Sequence, residues 1–292
     1  MLNIKGKGMF SHYMCISQSA DKMNKQKTSA KVIFISGASS GIGLVTAEYL
    51  TLLGYKVYGT SRHPEKNKEI RQFELIKMDV CDEVSVKTAI DSVIKKEGRI
   101  DVLVNNAGYG IGAAIEDASP QMAEEQIDTN FLGLYRVQHY ALKEMKKQAS
   151  GLIINISSIG GVIGLPYQGL YSASKFAVEG MTEALYKEIF TRNIRVCMIE
   201  PGDFKTAFTS SRLNIKGDNE LLNRSREIIE KDEQSGQSPI KIAKLIAKLI
   251  DKKRPRLRYP IGAFDQKLSI LLKRFLPNGI FDRIIMAYYK VR

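Results

Sequence analysis

The chain is poor in the residues that bind metals or staple small domains. Its 292 residues hold only three cysteines, Cys15, Cys81 and Cys197, and three histidines, His12, His63 and His139. They are far apart, with no Cys-x-x-Cys pair and no ligand spacing, which speaks against a protein-bound catalytic metal. Thiols of this kind fit a reducing, cytoplasmic compartment. No run of 18 or more apolar residues is present, so no membrane-spanning helix is expected. The first thirty residues contain lysines but no apolar stretch of signal-peptide type. They lack periodicity as well, so residues 1–30 are expected to form a flexible arm, and Met9, Met14 and Met23 leave the natural start open.

Excess acidic charge is also missing, and the net charge is +13. Its distribution matters more than its size. Residues 252–292 carry 11 Lys/Arg against 2 Asp/Glu, and residues 1–31 carry 6 against 1, leaving the centre close to neutral. A neutral centre argues against nucleic-acid binding.

What is present is a regular alternation. A continuous apolar run within 31–36 reads as a buried strand, the stretches 56–60, 73–78, 100–104, 152–156 and 193–199 read as further strands, and 257–260 as the last one. Helical patterns lie between them, among them 44–53 closed by Gly54, 84–96 closed by Gly98, a long helix over 119–145 and one over 238–250. Strand and helix in turn are the pattern of an α/β domain with a doubly wound parallel sheet and helices on both faces.

Between the first strand and the first helix stand Gly37, Ser39, Ser40, Gly41, Ile42 and Gly43. A glycine turn that opens a helix presents backbone N–H groups and the positive helix end to one point, where a pyrophosphate fits. The second strand ends in Thr60, Ser61 and Arg62, where an NAD enzyme offers a carboxylate to the adenosine ribose. An arginine there suits a 2′-phosphate, which favours NADP(H).

The centre of the chain is Tyr171 with Lys175 four residues on, preceded by Ser158. Four residues on a helix bring two side chains to one face. An ammonium beside a phenol is expected to lower the phenol pKa toward the range of a general acid or base. A serine hydroxyl at a strand end can hold a substrate oxygen against that phenol.

These motifs, together with Asp79-Val80, Asn105-Asn106-Ala107-Gly108, Asn130 and Pro201-Gly202 followed by Thr206, resemble the short-chain dehydrogenase/reductase family over roughly residues 31–260. The resemblance implies a single Rossmann-type domain over 31–262 with a seven-stranded parallel sheet. It implies that Tyr171 exchanges a proton with the substrate oxygen, that Ser158 hydrogen-bonds that oxygen, and that Lys175 lowers the Tyr171 pKa and binds the nicotinamide ribose. Asn130 is implied to hold a water behind Lys175, although an asparagine inside a helix more often faces solvent. Asp79 and Val80 are implied at the adenine, Asn106, Ala107 and Gly108 along the adenosine, and Pro201, Gly202 and Thr206 near the nicotinamide and phosphates. The family's opening Thr-Gly is Ser36-Gly37 here, which keeps a hydroxyl.

Residues 204–237 lose strand character and match the family's substrate lid, with one helix over 219–231. Tyr109, Ile111, Leu165, Pro166, Tyr167, Phe204, Phe208 and Leu213 are candidates for an apolar wall. Such a wall suits a steroid-, retinoid- or acyl-like ketone or alcohol. Residues 263–292 form a basic tail with two amphipathic segments, 268–276 and 280–289. They fit packing on their own subunit or at a dimer interface, or a helix lying on the anionic inner face of a membrane. The tail resembles that of the steroid and retinol dehydrogenase subgroup. The expected partners are therefore a hydrophobic small molecule, a second copy of the chain and a membrane surface, with no nucleic acid. A binding protein that keeps the fold without turnover is the alternative, and the intact Ser158 weighs against it.

Overall fold

A computed structural model describes residues 30–66, 71–215 and 219–292. The expected arm lies outside them but for residue 30. The first apolar run forms β1 (Val32–Ile35), whose four residues are all buried. Next come α1 (Gly41–Leu52), β2 (Lys56–Ser61), β3 (Glu74–Lys77), α2 (Glu83–Glu97) and β4 (Val102–Asn105). Asp82 starts α2 by accepting a hydrogen bond from the Val84 N–H, and Gly98 ends it at φ 73°. A two-residue β5 (Ile111–Gly112), α3 (Pro120–Ile127), α4 (Gly133–Lys147), β6 (Gly151–Ile156), α5 (Gly169–Glu188) and β7 (Ile194–Pro201) follow. The remainder holds a short α6 (Phe208–Ser211), a two-residue β8 (Leu213–Asn214), α7 (Glu220–Gln234), α8 (Ile240–Ile250), β9 (Arg258–Ile261), α9 (Phe264–Phe275) and α10 (Asn278–Tyr288).

Seven strands make one parallel sheet in the order β3-β2-β1-β4-β6-β7-β9. The expected doubly wound sheet is what forms. Successive residues of β1 point to opposite faces: Ile33 and Ile35 pack with Ala47 of α1 and Ile242 and Ile246 of α8, whereas Val32 and Phe34 pack with Val86 and Ile90 of α2 and Val137 of α4. The order reverses between β1 and β4, which opens a crevice at the carboxyl ends of those strands.

Two elements differ from the expectation. The helix over 119–145 is interrupted by a wider π turn, Asp128–Leu132, and Asn130 inside it is fully buried. The irregularity is held by the Asn130 side chain, which donates to Tyr109 O at 2.9 Å and Ser174 Oγ at 3.0 Å. The lid also contains a strand: β8 pairs in parallel with β5, Ile111 opposite Leu213 and Gly112 opposite Asn214. Among the described residues no helix is long and apolar enough to cross a membrane.

Candidate active site

The turn from β1 into α1 takes its shape from glycine. Gly37 has φ 67°, and a Cβ there would lie 2.8 Å from Ala107 Cα. At Gly43 a Cβ would lie 2.2 Å from Gly37 O, so only glycine lets α1 sit this close to the turn. Ser40 is the N-cap in extended conformation and its side chain makes no capping bond, which leaves first-turn N–H groups open to a ligand. Ser36 Oγ accepts from Asn106 N at 2.9 Å and Ala107 N at 3.1 Å, and Asn106 Nδ2 donates to Gly37 O at 2.9 Å. The hydroxyl kept by Ser36 thus fastens the loop after β4 to the glycine turn.

A cavity of about 1290 Å³ runs along the carboxyl ends of the strands. One end is bordered by Gly37, Ser39, Ser40, Gly41 and Ile42, with Arg62, Asp79 and Val80 beside them. Asn106, Ala107 and Gly108 line the middle, and Pro201, Gly202 and Thr206 come from the far side. Thr206 lies over the glycine turn, since a Cβ at Gly41 would sit 3.7 Å from Thr206 Cβ. Gly43 and Asn130 stand behind the wall rather than in it.

Ser158, Tyr171 and Lys175 border the same cavity and are 8 %, 8 % and 6 % exposed. Gly160 separates the first two: a Cβ there would be 3.2 Å from Tyr171 Cε1 and 3.4 Å from Ser158 Oγ. Lys175 Nζ lies 5.9 Å from the Tyr171 ring centroid and donates to Ile156 O at 2.9 Å. Burial pushes the Tyr171 phenol up to about 12, with the Ser158 hydroxyl and the Arg212 charge acting the other way. Burial also brings Lys175 down to about 8, against the charge of Glu179. The folded chain therefore shifts Tyr171 upward rather than downward, because loss of solvent outweighs the Ser158 hydroxyl and the Arg212 charge, while the same burial weakens Lys175 itself. Asn130 Oδ1 accepts from Tyr109 N at 3.0 Å, which, with its two donated bonds, makes it a brace between the β4 loop and α5. A water relay at Asn130 would have to use the remaining lone pair or the backbone carbonyl.

The model of the short chain dehydrogenase family matches residues 31–215, from β1 through β8. The chain belongs to the short-chain dehydrogenase/reductase family. It is similar to a 3-ketodihydrosphingosine reductase of Bacteroides thetaiotaomicron, 44% identical over 268 residues that cover 90% of this chain and 99% of that one. Retinol dehydrogenase 8 of Bos taurus is 33% identical over 276 residues, covering 85% of this chain and 86% of that one. A short-chain dehydrogenase of Streptomyces avermitilis, known from its crystal structure, superposes with a TM-score of 0.77 at 29% identity, covering 91% and 98% of the two chains. A short-chain dehydrogenase/reductase is an oxidoreductase that works on carbonyl and alcohol groups with a nicotinamide dinucleotide. The uncapped start of α1 and the glycine turn beside the cavity fit that cofactor.

Of the expected apolar wall, Tyr109, Leu165, Phe204, Phe208 and Leu213 border the cavity. Ile111, Pro166 and Tyr167 do not. Ile111 is a core residue of β5, and Tyr167, at φ 57°, accepts from Ala113 N through its carbonyl. Several residues of this short-chain dehydrogenase carried no signal in the sequence. Arg71 donates to Ala38 O at 3.3 Å and Ser39 O at 3.4 Å, and so supports the glycine turn. The tail contributes Leu268, Leu272, Ile284, Ile285, Tyr288 and Tyr289 to the cavity wall. Its amphipathic period was visible, but which way its apolar face turned was decided by packing on Asp203, Val162 and Asp232. Gln266 donates to Asp203, Lys273 to Val162 O and the Tyr288 hydroxyl to Asp232 Oδ2.

Proposed function

We propose that this oxidoreductase reduces the ketone of a hydrophobic, long-chain substrate with NADPH. The observation that carries the reading is that Ser158 and Tyr171 face a cavity whose far end is walled by Leu268, Leu272, Ile284 and Ile285. The two relatives named after 3-ketodihydrosphingosine and retinol support a substrate of this kind. When bound, the dinucleotide supplies a hydride to the carbonyl carbon, or takes one in the reverse direction. Ser158 holds the carbonyl oxygen and stabilises charge that develops on it. Tyr171, protonated throughout the neutral range, gives its proton to that oxygen. Lys175 holds the nicotinamide ribose and restores the proton on Tyr171. Asn130 fixes the β4 loop against α5 so that these groups keep their places.

Preference for NADP(H) rests on the β2 end. Thr60, Ser61, Arg62, His63 and Lys66 border the cavity there, and none of these lining residues is a carboxylate that would repel a 2′-phosphate. Purified protein titrated with NADPH and NADH, then followed for loss of reduced cofactor with long-chain ketones, tests both statements. Tighter NADH binding would overturn the cofactor preference, and NADPH binding with no turnover of any such ketone would overturn the substrate class.

The tail bears on where the substrate is met. Phe264 and Phe275 are 77% and 74% exposed, beside Lys267 and Arg274 on the same helix. We propose that α9 and α10 lie on an anionic lipid surface with these side chains, while their other faces wall the cavity. Co-sedimentation with phosphatidylserine vesicles and not with phosphatidylcholine vesicles is expected. A dimer that ignores both would assign the apolar faces to a second copy instead.

A further inference from the structure

At the end of β7, Pro201, Gly202 and Asp203 border the cavity in a stretch that the resemblance places at the nicotinamide. Gly202 N donates to Ile261 O at 2.8 Å, so the end of β9 holds this loop from one side. The tail holds it from another. Gln266, in the first turn of α9, borders the same cavity and turns its amide back toward β7. Its Oε1 accepts from Asp203 N at 3.2 Å and from Ala263 N at 3.1 Å, and its Nε2 donates to Asp203 Oδ2. Two glycines leave room for that amide: a Cβ at Gly202 would lie 2.0 Å from Gln266 Oε1, and a Cβ at Gly262 would lie 2.6 Å from the same atom.

Helix capping alone does not account for a glutamine here. An acceptor at the third helical position that takes the N-cap N–H serves to start a helix, and glutamate serves as well as glutamine. The second partner of Gln266 is a carboxylate, which a glutamate would repel and an amide N–H satisfies. Gln266 thus starts α9 and fastens the loop after β7 to it. The same helix also reaches the other parts of the reacting centre. Lys273 donates to Val162 O, four residues after Ser158, and its Nζ lies 5.2 Å from the ring centroid of Phe176, the neighbour of Lys175 on α5. Ile159, next to Ser158, packs on Gly202, since a Cβ there would be 2.8 Å from Ile159 Cδ1. One tail helix therefore spans the Ser158 loop, α5 and the β7 loop.

We propose, on the reading of this cavity as an NADPH-dependent carbonyl reductase, that Gln266 is a positioning residue: it fixes Pro201 to Asp203 and so sets where the nicotinamide stands relative to Ser158 and Tyr171. It acts through Asp203 and Gly202 rather than on the reacting atoms. The adenosine end is built from other elements, with the glycine turn after β1, Arg62 after β2 and Asp79 after β3. Loss of the Gln266 bonds should loosen the hold on the nicotinamide half of the cofactor and leave the other half as it was.

Calorimetry on the full chain with NADPH and with 2′-phospho-ADP-ribose, which lacks the nicotinamide, separates the two halves. Gln266→Met keeps the length of the side chain and removes its amide. In this variant NADPH affinity is expected to fall about three- to tenfold and affinity for the fragment by less than about twofold. The kcat for ketone reduction should fall with the former. An equal loss for both ligands would make Gln266 a structural residue of the tail and overturn the proposal, as would unchanged NADPH affinity. Should Gln266→Met not fold, Gln266→Glu keeps the acceptor for Asp203 N, sets a carboxylate against the Asp203 carboxylate and is expected to give the same split. If NADH binds more tightly than NADPH, the pair becomes NADH and ADP-ribose. If no ketone is turned over, the reduction reading fails, and the split between the two ligands still decides the role of Gln266. Wild-type protein that binds neither dinucleotide would overturn both.

Discussion

Lys175 donates its Nζ to the carbonyl oxygen of Ile156, 2.9 Å away. Ile156 is the last residue of β6, and Ser158 follows two residues later. The bond therefore ties the helix that carries the proton donor to the strand that carries the oxygen-binding hydroxyl. It also fixes the ammonium in a buried place, where its charge is lost near pH 8 rather than far above.

Removal of the Tyr171 hydroxyl should abolish proton transfer and little else. Tyr171→Phe is expected to lower turnover by about 10²–10⁴-fold, the usual contribution of a positioned acid. Cofactor affinity, read by fluorescence titration, should change by less than about threefold. Retained turnover would exclude Tyr171 as the donor.

The pH profile of reduction follows from the two shifted groups. Tyr171, raised to about 12, stays protonated, and Lys175, lowered to about 8, stays charged only below that pH. The kcat/KM for ketone reduction should therefore be level near neutrality and fall as pH rises through about 8. Lys175→Arg, whose guanidinium keeps its proton, should lose that fall and turn over slowly at every pH, because it cannot hand a proton on to Tyr171. A wild-type profile still level well above pH 8 would contradict the assignment.

Arg62→Asp places a carboxylate at the end of β2, where Arg62 borders the cavity. The ratio of NADPH to NADH affinity is expected to drop by about tenfold or more through lost attraction and new repulsion. An unchanged ratio would make Arg62 an ordinary surface residue.

Gly43→Ala tests the close approach of α1 to its turn. With its Cβ 2.2 Å from Gly37 O, the variant should lose about 1–3 kcal/mol of stability and bind dinucleotide more weakly. Gly180, inside α5 with nothing within 4 Å of its Cβ position, is the control. Gly180→Ala should gain about 0.5–1 kcal/mol in urea denaturation.

Stability should also carry the mark of Asp203. Its folded pKa of about 7 lies above the ordinary carboxylate value of 3.8, so between those limits the folded chain holds a proton that the unfolded chain has released. Stability from this group is complete at the acid end and is lost as pH rises toward 7. Asp203→Asn should flatten that part of a Tm-against-pH curve, and an unchanged slope would mean that Asp203 titrates alike in the folded and the unfolded chain.

The seven strands of the large sheet are legible in the sequence as short stretches rich in apolar and β-branched residues between helical patterns, and β1 needs no partner information to be read as buried, whereas the two-residue β5 and β8 give no such signal. The groups around the reacting centre were legible for a related reason: Tyr171 and Lys175 are one helical turn apart, and glycine marks the turn before α1. What the sequence hides depends on groups that meet only after folding. Nothing in 119–145 signals the π turn, because its stabilising bonds run from Asn130 to Tyr109 and Ser174. The direction of the Tyr171 shift is hidden for a like reason, since the sequence shows the neighbouring lysine but not the depth at which both lie. Asp203 was hidden in plain view after Pro201-Gly202, its meaning set by Asp232 and Glu233 from a helix some thirty residues on.

The placement of α9 and α10 has a consequence for how the protein comes into being. They are synthesised after every strand of the sheet, although they wall the cavity that β1 through β7 prepare. On the ribosome, the glycine turn and the loop after β4 can assemble while Leu268 to Tyr289 are still untranslated. A nascent chain would thus be able to hold its dinucleotide before it can shield a substrate from water. Shape for the oily part of the ligand is acquired late, and sequence changes confined to the apolar faces of those two helices can redirect which molecules enter without disturbing the groups that react.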